Sequence, residues 1–177
     1  MATISPIVAQ RNLIVPAARS KTSAGIILYR RQPGLEVFLV HPGGPYWARK
    51  DDGAWSIPKG EYHPDEPPLQ AAQREFLEET GVAVNGPFLA LAPVRLPSGK
   101  IISAWACEGD LDAAQLRSNT FSIEWPPNSG VMQSFPEVDR GAWFSLQQAR
   151  AKLSPGQLPL LQALTALAMP PVPARPA

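Results

Sequence analysis

A chain of 177 residues with net charge +1 and 18% charged residues can bury one sizeable domain core, and it lacks the charge excess that wraps nucleic acid or holds to an anionic membrane. The one cysteine, Cys107, excludes an intrachain disulfide and suits a reducing cytosol, so the cytoplasm is the expected location. The opening MATISPIVAQRNLIVPAARS lacks a long apolar core behind a basic start and does not read as a signal peptide, and no window reaches the roughly 20 apolar residues of a membrane span.

In chain order, residues 1–20 read as an N-terminal extension to a domain over 21–168. Lys21–Arg31 and Leu35–His41 are β-rich and read as a hairpin turning at Gln32-Pro33-Gly34. A long loop from Pro42 to Ala54 follows, of a length that is often functional inside a compact domain. Trp55–Lys59 reads as a short strand. A helix starts near Pro67 or Pro68, buries Leu69, Ala72, Phe76 and Thr80 with Leu77 flanking, and stops at Gly81.

Phe88–Arg95 and Ile101–Glu108 read as strands joined by a turn at Pro97-Ser98-Gly99. Cys107 lies in the second, in an alternating apolar run, and is expected to be buried. A short helix is expected within Asp110–Asn119, a strand over Phe121–Trp125, a loop over 126–140 and a short strand at Ala142–Ser145. Leu146–Leu153 and Leu158–Ala168 read as helices separated by Pro155-Gly156. The tail 169–177, ending PPVPARPA, has too many prolines for a ladder or helix and is expected to be extended or disordered. Strands mixed with a few helices indicate an α+β domain with a mixed sheet.

The chemistry concentrates in Gly60–Val82. At about 100° per residue, Glu75, Glu78 and Glu79 of REFLEE share one arc of the helix. Carboxylates crowded on one face repel, so the cluster points to a bound cation. Oxygen ligands alone favour a hard ion such as Mg²⁺, Mn²⁺ or Ca²⁺. An isolated ExxEE would otherwise read as a solvated helix face.

With Gly60, Glu66, Arg74, Gly81 and Val82 at their spacings, the segment resembles the box of the Nudix hydrolases. Its one soft departure is Phe76, where an aliphatic residue is usual. The resemblance covers 21–168, but only the box and its approach are specific. It implies an α/β/α sandwich and a Mg²⁺-dependent enzyme, with Mn²⁺ as an alternative ion, that cleaves a nucleoside diphosphate linked to another group. It implies that Glu78 and Glu79 are metal ligands and that Glu75 is a ligand or the general base. The carbonyl of Gly60 is expected to join the metal, Arg74 to orient a catalytic glutamate, and Glu66 to be structural. Glu137, six residues before Trp143, resembles a loop glutamate that reaches the metals or the water; Asp139 is the weaker alternative.

Substrate contacts are expected elsewhere. Lys59, in a Pro-Lys-Gly entry resembling the diadenosine and diphosphoinositol polyphosphate hydrolases, could hold a distal phosphate as a point charge. Tyr46, Trp47, Phe121, Trp125 and Phe135 could stack on a nucleobase or simply pack. Arg49 and Lys50 could meet phosphate, whereas His41 is better suited to hydrogen-bonding a turn. Pro97, sixteen residues after Gly81, resembles a mark of ADP-ribose hydrolases, though turn chemistry also explains it.

These expectations lead first to hydrolysis of a dinucleoside polyphosphate or related nucleotide. An ADP-ribose or nucleotide-sugar pyrophosphatase comes second, and a Nudix-fold sensor that binds a nucleotide without turnover third. The partner is a small-molecule nucleotide, with neither nucleic acid nor membrane; a homodimer is left open.

Overall fold

A computed structural model describes residues 21–31 and 33–168; the expected extension at 1–20 and tail at 169–177 lie outside them. Among the described residues, nine strands and three α-helices run in the order β1 (Thr22–Arg30), β2 (Glu36–Pro42), β3 (Lys59–Glu61), α1 (Pro68–Thr80), β4 (Phe88–Ala90), β5 (Val94–Arg95), β6 (Ile101–Glu108), β7 (Thr120–Glu124), β8 (Met132–Pro136), β9 (Val138–Ser145), α2 (Leu146–Lys152) and α3 (Leu158–Ala168). The main sheet is ordered β4-β6-β1-β2-β9, with β3 also on β1 and β5 also on β6. β1 and β6 are parallel and the other pairs antiparallel, so the sheet is mixed as expected. β7 and β8 form a separate hairpin.

Alternation along β1 and β2 sorts the core into two layers. Ile26, Leu28, Phe38 and Val40 face α1 through Ala71, Ala72 and Phe76. Ile27, Tyr29, Val37 and Leu39 face the other way, onto Leu160, Leu161 and Leu164 of α3 and Leu153. The result is the expected α/β/α sandwich. Cys107 is buried in the α1 layer, which pushes its thiol pKa up.

The helix that carries the glutamates is fixed from behind. Phe76 is fully buried, and truncating such a side chain typically costs about 3–5 kcal/mol. Gly81 ends the helix at φ 76°, in the left-handed region, and its N–H bonds the Leu77 carbonyl at 2.8 Å. The buried stripe differs in detail from expectation. Ala71 replaces Leu69, which is only partly buried, and Leu77 is exposed.

Four other expectations are corrected. Trp55 and Ser56 make only isolated bridges, to Leu153 and Val40, and the strand begins at Lys59. Phe88–Arg95 divides into β4 and β5 around Leu91–Pro93, because a proline cannot donate to the ladder. The helix in Asp110–Asn119 is one 3-10 turn, Ala113–Gln115. The expected loop 126–140 contains β8 and the start of β9, whose polar outer residues hide the strand period.

Candidate active site

β3 lies antiparallel on β1 with Gly60 opposite Ala24 and Lys59 opposite Gly25. α1 crosses above, and the Glu75 carboxylate rests directly against the α-carbon of Gly60. A Cβ there would overlap that carboxylate, so only glycine permits the approach.

Arg74 binds three of the acidic side chains. Its Nε and Nη2 donate to the two oxygens of Glu66 at 2.9 and 3.0 Å, a bidentate fork. Its Nη1 donates to Glu75 Oε1 at 2.6 Å and to Glu78 Oε2 at 3.2 Å. These partners raise the arginine pKa further, and the same fork lowers that of Glu66. The geometry is that of an orienting clamp, with the guanidinium already committed to carboxylates.

Glu79 turns toward β3, where its Oε2 accepts the Lys59 backbone N–H at 3.1 Å. Burial pushes its pKa up to about 8, against the pull of Lys59, and the charges of Glu75 and Glu137 push the same way. Burial also raises Glu75 above the usual carboxylate range, opposed by Arg74 and reinforced by Glu78 and Glu137.

A backbone strap positions Glu137. The Arg117 N–H bonds the Thr80 carbonyl and the Asn119 N–H bonds the Glu78 carbonyl, each at 3.0 Å, capping the end of α1. The Asn119 carbonyl accepts from Glu137 N–H at 2.8 Å, and the Glu137 carbonyl accepts from Gly43 N–H at 2.9 Å. Ser118 adds its hydroxyl oxygen to the Val138 N–H at 2.9 Å. Nothing in the sequence of 117–119 signals the main-chain bonds of the strap, because backbone groups carry no residue signature.

The other expected site residues divide among several places. Strand alternation sends Lys59 to the opposite face of β3 from Gly60, with its Cβ against Gly25. Burial lowers its ammonium pKa, and Glu79 opposes that. Tyr46 packs edge-on against Trp125 at 5.2 Å, and Lys50 Nζ lies 4.4 Å above the Trp47 ring. Tyr46 and Trp47 line a cleft of about 310 Å³ with Phe121, Ile123 and Glu137. Phe135 supports Phe121 from 6.2 Å. Arg49 and Lys50 instead line a different cavity, of about 390 Å³, with Arg140, Lys152 and Trp55.

Asp139 and His41 hold the loop. The buried His41 ring places Nδ1 2.8 Å from Asp139 Oδ1, and its Nε2 donates to the Lys50 carbonyl at 2.7 Å. Pro97 sits in the β5–β6 turn beside Gly156, on the side of the sheet away from α1.

The donor set suits a hard divalent cation: oxygen atoms only, with Glu66, Glu75, Glu78, Glu79 and Glu137 set against Arg74 and Lys59. The glutamate side chains are turned to Arg74 and to the Lys59 N–H, and no three His, Cys, Asp or Glu side chains converge at ligand spacing among the described residues.

Residues 19–164 match the NUDIX domain model. No curated protein sequence matches the chain. A C. elegans Ap4A hydrolase binary complex superposes with TM-score 0.58 at 21% identity, covering 82% of this chain and 97% of that one. The NUDIX domain of Shewanella oneidensis NrtR, complexed with ADP ribose, gives TM-score 0.60 at 18% identity over 86% and 90% of the two chains. The E. coli ORF135 protein gives 0.51 at 26% identity over 88% and 96%.

Proposed function

The chain belongs to the Nudix family and is a pyrophosphohydrolase of that family, and we propose that it hydrolyses a phosphoanhydride in a dinucleoside polyphosphate or related nucleotide with the help of Mg²⁺. The observation that carries the reading is the Arg74 clamp on Glu66, Glu75 and Glu78, with Glu75 seated against Gly60 and Glu79 on the Lys59 N–H.

Glu75, Glu78, Glu79 and the Gly60 carbonyl would hold the ion, with Mn²⁺ as an alternative. When bound, such an ion makes water easier to deprotonate and offsets charge on the phosphates. Arg74 keeps Glu75 and Glu78 in place. Glu137 has no side-chain partner among the described residues and is the carboxylate free to take a proton from water. The strap holds it through the Asn119 carbonyl, and the Asn119 N–H is bonded to the Glu78 carbonyl of α1. The buried single cysteine suits a reducing compartment, and the cytoplasm is the proposed location.

The Pro58-Lys59-Gly60 entry supports a dinucleoside polyphosphate by resemblance alone, because the Lys59 side chain lies on the opposite face of β3 from Gly60. The second substrate reading, ADP-ribose or a nucleotide sugar, is favoured by the likeness in fold to an ADP-ribose-bound Nudix domain. Pro97 adds little to it, because it serves a turn on the far side of the sheet. The sensor reading has the retained glutamates against it. A hydrolysis screen with Mg²⁺ over diadenosine polyphosphates, ADP-ribose, nucleoside triphosphates and diphosphoinositol phosphates tests the proposal. Fastest turnover of a diadenosine polyphosphate supports it. Preferential cleavage of ADP-ribose moves the assignment to the second reading, and tight nucleotide binding with no turnover moves it to a sensor.

A further inference from the structure

β9 divides its side chains between the two core layers. Trp143 goes to the α1 layer with Phe38, and Ala142 and Phe144 go to the α3 layer with Trp55. On that second side, across the sheet from the glutamates, lies the cavity of about 390 Å³. Its apolar wall is Ala142, Phe144 and the buried Trp55, whose ring meets Phe144 edge-on at 4.9 Å. Its polar wall sets Arg49, Lys50, Arg140 and Lys152 against the carboxylate of Asp51. In a chain of net charge +1 this is a local concentration of positive charge. The walls are fixed to each other by main-chain bonds between the loop and the end of α2. Gly53 N–H donates to the Ala151 carbonyl at 2.9 Å, and Trp55 N–H to the Lys152 carbonyl at 3.0 Å.

The nearby carboxylates are already engaged. Asp51 accepts Trp55 Nε1–H at 2.8 Å on one oxygen and Lys152 Nζ at 2.6 Å on the other. Asp52 also takes Lys152, at 2.6 Å. Asp139 belongs to His41, and Arg140 Nε stays 3.9 Å from it, beyond hydrogen-bond reach. The Arg140 guanidinium lies over the Trp55 ring, 5.5 Å from its centroid. Among the described residues, neither Arg140 nor Arg49 has a hydrogen-bonded carboxylate.

We infer that this cavity is a second binding site, separate from the glutamate face, for a small organic phosphate monoester. The guanidiniums of Arg49 and Arg140 take the phosphate oxygens, and the wall of Trp55, Phe144 and Ala142 takes the organic group. A guanidinium offers paired N–H donors in one plane, the geometry that phosphate oxygens accept. The doubly charged phosphate supplies the negative charge that Asp51, spent on Trp55 and Lys152, does not. The volume lies at the lower end of ordinary small-molecule sites, enough for a phosphate and one ring. An inorganic anion leaves the apolar wall bare, and a neutral apolar ligand leaves the cations unanswered. The site stands whatever anhydride the chain cleaves.

Phenyl phosphate and inorganic phosphate are titrated into the full chain in chelator, followed by calorimetry and by backbone amide shifts. Neither probe contains an anhydride, so the readout does not need turnover. The variants are Arg49→Gln and Arg140→Gln, with Arg95→Gln on β5, outside the cavity, as the control for lost charge. Phenyl phosphate is expected to bind about 10-fold more tightly than inorganic phosphate, on the order of one buried ring face. The largest amide shifts are expected at Ala48, Ala142 and Phe144. Each cavity variant is expected to lose about 10-fold or more of phenyl phosphate affinity, and Arg95→Gln to stay within about twofold. Arg49→Gln carries the test alone should Arg140→Gln disturb Trp55. No binding at millimolar phenyl phosphate overturns the inference, as does an equal loss in Arg95→Gln. Inorganic phosphate bound as tightly as the ester overturns the organic subsite. Shifts centred on Gly60 and α1 place the anion at the glutamate face and overturn the second site.

Discussion

The α-carbon of Gly60 supports the carboxylate of Glu75. The contact joins β3 to α1 at the point where the acidic face begins, and it leaves no room for a Cβ. Gly60→Ala must push Glu75 off its place while leaving both hydrophobic layers intact. We expect a fall in kcat on the order of 100-fold with a melting temperature within about 3 °C of wild type, checked by steady-state kinetics and thermal unfolding.

Arg74 distinguishes a fork from a mere charge. Its three carboxylate partners require donors in different directions from one planar group. Arg74→Lys keeps the charge but loses the bidentate bond to Glu66. Kinetics of Arg74→Lys and Arg74→Ala should show both down by about 10-fold or more, lysine restoring only a minor part. Full activity in the lysine variant contradicts the clamp.

Glu79 predicts a pH dependence without metal. Its folded pKa, about 8, exceeds the ordinary glutamate value of 4.5, so across that interval the folded state holds a proton that the unfolded chain has released. The linkage slope is therefore negative: stability contributed by protonated Glu79 is present below the unfolded pKa and is lost as pH rises through 8. In chelator, the melting temperature should fall between pH 5 and 8, and Glu79→Gln should flatten that fall. Added Mg²⁺ should reverse it in wild type alone, because a cation replaces the proton.

His41 and Asp139 tie the loop that carries Tyr46 and Trp47. His41→Ala removes two hydrogen bonds from a fully buried ring, a loss of about 2–3 kcal/mol in unfolding free energy. The loop then moves independently of the glutamates, so KM should rise more than kcat falls. Denaturant unfolding and kinetics together check this, and an equal fall in kcat would instead place His41 in the chemistry.

What could be read from the chain followed the strength of its periods. The box helix was legible because Ala72, Phe76 and Thr80 repeat on one face and Gly81 stops it. β1 and β2 were legible as apolar runs. β8 was not, because Met132–Pro136 is mostly exposed and makes no inward face for a pattern to reveal. Within the site, Arg74 and the helix glutamates were found by spacing. The strap through Arg117 and Asn119 was hidden, because main-chain bonds carry no residue signature. The grouping of Tyr46 and Trp47 with Phe121, and the place of Arg49 in a different cavity, depended on which way one loop turns.

The central claim is that the glutamate face of α1 holds the ion on which hydrolysis depends. Initial rates on a diadenosine polyphosphate, titrated with Mg²⁺ in wild type and Glu79→Gln at pH 8, test it most directly. The account predicts no rate in chelator, saturable activation by Mg²⁺ in wild type, and a loss of about 100-fold or more in Glu79→Gln that excess Mg²⁺ does not restore. Activity that survives chelator, or a Glu79→Gln variant with wild-type rate and the same Mg²⁺ dependence, would contradict it.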